Sequence, residues 1–100
     1  MGHSVSTANF FLESRMRDAA SGKPDALYDL GVAYSSGSAG VGLDLIEAHK
    51  WFNLAALSGD ARGQQCRAEI ADEMSAREIA EAQRSARAWL ASTSPRRMAA

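Results

Sequence analysis

The chain has 100 residues, 46% of them apolar, which is enough for one small core and too little for two. Eleven Lys and Arg stand against twelve Asp and Glu, a formal net charge of -1, so no basic excess is present to neutralise phosphates or an anionic membrane surface. One cysteine, Cys66, excludes an internal disulfide and any CxxC-type zinc site.

The remaining exclusions come from patterning. No apolar run approaches the ~20 residues of a membrane-crossing helix. No basic leader precedes an apolar stretch at the start, so the sequence as written is not expected to be a secreted precursor. A lone thiol fits a reducing cytoplasm, the expected location. Alanine is abundant, prolines number two, and no segment alternates apolar and polar residues for long. The expected fold class is all-α.

In chain order, residues 1–6 are expected to be disordered and a first helix to run from Thr7 to Ala20. Leu12, Met16, Ala19 and Ala20 form its apolar face, and Ser21-Gly22 ends it. Pro24 opens a second helix at the position that suits proline, with Asp25 at the positive end of the dipole. Leu27, Leu30, Gly31 and Tyr34 follow at i, i+3, i+4, i+7. A glycine inside that stripe costs up to ~1 kcal/mol relative to alanine, and close approach of another helix explains it. Residues 35–42 form a Ser/Gly loop that Val41 and Leu43 anchor.

Asp44 and Glu47 have the spacing of a capping box for a third helix. Its apolar face is Ala48, Trp51, Phe52, Ala55 and Ala56, and Ser58-Gly59 closes it. A fourth helix starts at Asp60, with the narrow stripe Gly63, Cys66, Ile70 and Met74. Ser75 and Glu78 make a second capping box. A fifth helix then carries Ile79, Ala82, Ala86 and Trp89 on one face, and the periodicity fails after Leu90. Residues 92–100 read as a flexible tail. The final Met98-Ala99-Ala100 also looks like a signal that bacterial unfolding proteases accept.

Ser21-Gly22 and Ser58-Gly59 lie 37 positions apart, a spacing that points to stacked helical hairpins. The unit from Ala26 to Gly59 reads Ala26-Leu27, Leu30-Gly31, Tyr34, Gly37, Gly40-Val41, Asp44, Ala48, Trp51-Phe52, Ala55-Ala56 and Gly59. In this order it resembles the Sel-one-like repeat family, bacterial relatives of the tetratricopeptide repeats. The loop is one residue longer than that family's pattern, and Glu47 stands where a lysine is common. The resemblance implies a short right-handed α-solenoid of antiparallel hairpins, about five helices. Within a single domain over 7–91, residues 7–21 become an N-terminal capping helix. Residues 24–59 become a complete repeat, and 60–91 a degenerate closing hairpin.

No side-chain constellation points to catalysis. His49 has no Ser, Cys or Asp at a spacing that would orient it, and reads as a half-exposed position on an amphipathic helix. Cys66 falls on an apolar stripe with no His or Lys to activate it, and reads as a small buried hydrophobe. Asp25, Asp29, Asp44, Glu47 and Asp60 cluster at helix starts, where caps account for all but Asp29. The glycines Gly37, Gly40 and Gly42 lack the Gly-Lys-Ser/Thr of a phosphate loop. Catalytic, cofactor-binding and metal-ligating residues are therefore expected to be none.

The expected function is a non-enzymatic module that binds a protein or peptide on the concave face of the second and fourth helices. Helical position selects Tyr28, Asp29, Val32, Gln65 and Glu69 as its contacts. One complete repeat is fewer than the ~3 units an independent solenoid usually needs, so a self-associating structural subunit, possible as a homodimer, is the alternative. A small helical enzyme is the third reading, which the missing metal spacing and missing triad disfavour. No nucleic-acid or membrane partner is expected.

Overall fold

A computed structural model describes the backbone of residues 3–93 and the side chains from residue 9 onward. The described residues fold into five helices and no strand: α1 (His3–Ala20), α2 (Pro24–Ser36), α3 (Leu45–Leu57), α4 (Ala61–Ala71) and α5 (Ala76–Thr93). The protein is all-α. α1 begins four residues before the expected start at Thr7, so most of the segment expected to be disordered is helical. The expected tail signal lies outside the described residues.

Local chemistry sets the helix ends. Gly22, Gly37 and Gly59 all have positive φ, at 82°, 73° and 101°, and each follows a helix. These are the left-handed positions a chain needs to leave a helix abruptly. Pro24 occupies the first turn of α2 behind Lys23, which supplies no side-chain cap. The Asp44 carboxylate accepts from the Glu47 N–H at 3.1 Å. Only half of that expected box forms, because the Glu47 carboxylate instead accepts from the Trp51 indole N–H at 3.2 Å. The Ser75–Glu78 box is complete: Ser75 Oγ accepts from the Glu78 N–H at 3.1 Å, and Glu78 accepts from the Ser75 N–H at 2.8 Å. The loop between α2 and α3 is tied down, with the Asp44 N–H donating to the Tyr34 carbonyl at 2.9 Å.

α3 is the centre of the packing. α2, α4 and α5 each pack against it, and α1 packs against α2. The shortest dimension, 22 Å, is two helix diameters, so the molecule is two helices thick. Trp51, Phe52, Leu54, Ala48 and Ala55 are all at most 2% exposed. A helix buried on several sides is apolar well beyond one stripe. That is why Leu54 belongs to the core although it lies off the face read from the sequence.

Two glycines bring the neighbours close. A Cβ on Gly31 would lie 2.5 Å from the Phe52 ring, so α2 approaches α3 at a distance only glycine permits. A Cβ on Gly63 would lie 2.6 Å from the Phe52 carbonyl oxygen and 2.9 Å from the Ala56 nitrogen, so α4 rests almost on the α3 backbone. Over 60–91, where a closing hairpin is expected, α4 and α5 each pack on α3 and barely on one another. Trp89 of α5 meets Trp51 edge-on, centroids 4.8 Å apart, and Ala82 and Ala86 of the same helix are buried.

Candidate functional site

The face formed by α2 and α4 holds the five residues expected to contact a partner, and the structure separates their roles. Tyr28 is half-buried: its ring tilts against Phe52 at 5.7 Å and Arg62 of α4 stacks over it at 4.0 Å. Burial, with Cys66 beside it, raises the pKa of its hydroxyl above the ordinary value of 10.0. Arg62 also spans to Asp25 at 3.1 Å and to Asp60 at 2.7 Å, and so ties the starts of α2 and α4 together. The hydrogen bonds from Arg62 hold the Asp60 carboxyl below its usual range. Tyr28 is thus a joint between helices as much as a contact surface.

Asp29 points the other way. It accepts from Arg15 of α1 at 3.2 Å, and Arg15 also holds Asp18 at 2.6 Å. Val32, one turn further along α2, is 38% exposed. Gln65 and Glu69 are exposed one turn apart on α4. No hydrogen bond or ion pair joins these five residues to one another among the described contacts.

His49 departs from the half-exposed position expected of it. It is 3% exposed, and its Nδ1 has no hydrogen-bond partner. Burial first, and the positive Arg67 second, push its pKa below 6.5. Arg67 reaches from α4 to donate to Asn53 Oδ1 at 2.6 Å, one turn along α3. The imidazole thus sits in the packed interface between α3 and α4, next to Arg67. Cys66 is half-buried. No group of three metal-ligating side chains occurs among the described residues.

A second surface was not legible in the sequence. The last turns of α1, α3 and α5 converge on a cleft of about 560 Å³. Leu27, Leu54, Leu57, Trp89 and Leu90 form its bed, with Ala19 and Ala20 at one side. Ser21, Gly22, Ser58 and Thr93 complete the lining, so no titratable side chain lines it. Leu57 is 66% exposed at this cleft. The periodicity of each helix alone could not reveal it, because three segments far apart in sequence build it. Phe10 and Phe11 of α1 are also exposed, at 67% and 40%.

Comparison with known proteins finds no matching family model, no matching curated protein and no matching solved structure. No helix among the described residues is long and apolar enough to cross a membrane.

Proposed function

We propose that the chain is a non-catalytic interaction module, a short solenoid of the Sel-one-like kind, that binds a protein or peptide segment. The observation that carries this reading is the cleft: it is of ligand-binding size, combines leucine side chains with backbone and hydroxyl groups, and is lined without an ionisable acid or base. Such a site can hold a chain but has nothing with which to move a proton. The exposed Val32, Gln65 and Glu69 offer further contact surface across the α2–α4 face. A reducing cytoplasm suits the single, half-buried thiol of Cys66.

The test is a peptide-display selection on the folded protein, with an unrelated helical protein as the control. Peptides enriched only on the native chain, binding reversibly and recovered chemically intact, support the module. Equal enrichment on both proteins, or cleavage of the recovered peptides, overturns it. Self-association is the second reading, favoured by the exposure of Phe10 and Phe11 on α1. Sedimentation equilibrium separates the two: a monomer fits the module, while a tight dimer that Phe10→Ser dissociates fits self-assembly.

A further inference from the structure

We infer that the joint between α4 and α5 is a hinge that straightens into one continuous helix, and that two copies of this chain then exchange α5, each laying it on the α3 of the other. Peptide binding plays no part in this exchange. The sequence at the joint sets it apart from the other helix ends. The chain leaves α1, α2 and α3 through Gly22, Gly37 and Gly59, all at positive φ. It leaves α4 through Asp72-Glu73-Met74-Ser75, with no glycine, no proline and no residue at positive φ. Asp72 still has helical angles, φ -63° and ψ -21°. The Glu73 and Met74 N–H groups donate to the Ile70 and Ala71 carbonyls at 3.0 Å and 3.1 Å, so the winding carries on past the end of α4. The helical path breaks only at Met74 and Ser75, and neither residue type forbids a helix.

Little holds the bend. α4 and α5 barely touch, so no packing across the joint favours the bent form. Two features keep it: the Ser75–Glu78 capping box, and the seat of α5 on α3, where Trp89 meets Trp51 and Ala82 and Ala86 are buried. Straightening trades the box for helical hydrogen bonds across the joint. It also sets Glu73 four residues before Arg77 on one helix face, the favourable order for an ion pair. In the bent chain neither takes part in an ion pair among the described residues. A straight helix over 61–93 would be about 50 Å long. The folded molecule measures 47 Å in its longest dimension, so straightening carries α5 past the end of the molecule and off its own α3. One helix is already shaped for the vacated seat, the α5 of a second copy. It restores the Trp51–Trp89 contact and the burial of Ala82 and Ala86 with identical side chains. A tethered α5 competes at an effective concentration of about millimolar, so the monomer prevails in dilute solution and refolding at high concentration promotes exchange.

The test is refolding of the full chain from urea at protein concentrations far below and near millimolar, followed by size exclusion. The concentrated sample is expected to yield a dimer that persists on dilution, because α5 must leave α3 before the copies can part. Spin labels at Gln64→Cys and Arg87→Cys, both exposed positions, in a Cys66→Ala background report the distance within one chain when diluted with unlabelled protein. On a straight helix the two positions lie about 35 Å apart. The dimer should show that distance and the monomer a shorter one. Ala76→Pro puts proline at the first position of α5, which the bent chain tolerates and a continuous helix does not. It should keep the melting temperature and abolish the dimer. Ser75→Ala removes one cap from each of two joints and should raise the dimerisation constant by about ten-fold. No dimer at any concentration, in the parent and in Ser75→Ala alike, overturns the inference. So does a dimer whose labels keep the monomer distance, or one that Ala76→Pro leaves intact. If Ala76→Pro fails to fold, the label distance in the parent dimer decides alone. A dimer at the monomer distance that Phe10→Ser dissociates belongs to the α1 face and equally overturns the exchange.

Discussion

The α2–α3 hairpin and the α4–α5 segment meet the same central helix in different ways. α2 is locked between α1 and α3, and Gly31 lets it press on the flat of the Phe52 ring. α4 rests on the α3 backbone through Gly63, with α2 touching it mainly through Arg62, Asp25 and Tyr28. α5 never closes over α4. A hairpin with neighbours on both sides behaves as a unit. A helix held on one side can move without unfolding the rest. The difference teaches that a repeat-like pattern of helices does not by itself make every consecutive pair a packed hairpin.

The largest effect should come from the residue that both regions share. Trp51 is fully buried, bonds to Glu47 and packs on Trp89. Trp51→Ala should cost about 3–5 kcal/mol, measured by urea denaturation. Trp89 is only partly buried, and Trp89→Ala should cost distinctly less. Equal losses would mean that α5 is as integral as the hairpin.

What was legible beforehand follows the same division. The stripe Leu27, Leu30, Gly31 and Tyr34, the turn glycines and the Ser75–Glu78 box all announce themselves through local spacing, and they form as read. The burial of Leu54 and His49 was not legible, because it depends on α4 and α5 surrounding α3, and a single helix cannot report how many neighbours it has. Glu47 looked like half of a capping box; the indole of Trp51, on the next turn, is a competing donor. The Tyr28, Asp29, Val32, Gln65 and Glu69 set was chosen by helical position. That rule finds a face but cannot see that Arg15 and Arg62 already occupy two of its members.

A glycine pair sharpens the contrast. Gly31→Ala must displace the Phe52 ring inside a locked hairpin, so it should lower global stability by about 1–3 kcal/mol. Gly63→Ala meets backbone instead, which cannot rotate away, so α4 itself must shift off α3. Its main effect should be local: faster amide exchange across Ala61–Ala71 with a smaller drop in melting temperature. Unchanged exchange in α4 would show that this helix is as firmly held as α2.

Acid should act on the same α3–α4 contact. His49 has a lowered pKa in the folded chain, so the unfolded chain binds more protons as pH falls through 6.5. Stability from this group is complete above 6.5 and declines below it until the folded pKa is reached. The decline arises first from a charge forced into a buried position and second from its proximity to Arg67 of α4. His49→Leu removes the titration and the unpartnered Nδ1 together, so its urea midpoint should vary less between about pH 7 and pH 5 than that of the parent. An identical decline in both proteins would place the acid sensitivity elsewhere.

The smallest effect concerns Asp29, where the two regions make opposite demands. If Asp29 served a partner on the α2–α4 face, Asp29→Asn would weaken peptide binding and leave α1 undisturbed. Its observed partner is Arg15 of α1, at 3.2 Å, with side chains 24% and 40% exposed. A pair that open to water contributes about 0.2–1 kcal/mol, and salt screens part of it. Arg15 keeps its shorter bond to Asp18 when Asp29 is neutralised, which limits the loss further. Asp29→Asn should therefore lower stability by at most about 1 kcal/mol, less in high salt, and leave the affinity for selected peptides unchanged. A loss of binding with no loss of stability would return Asp29 to the contact surface and make the α1–α2 tie incidental.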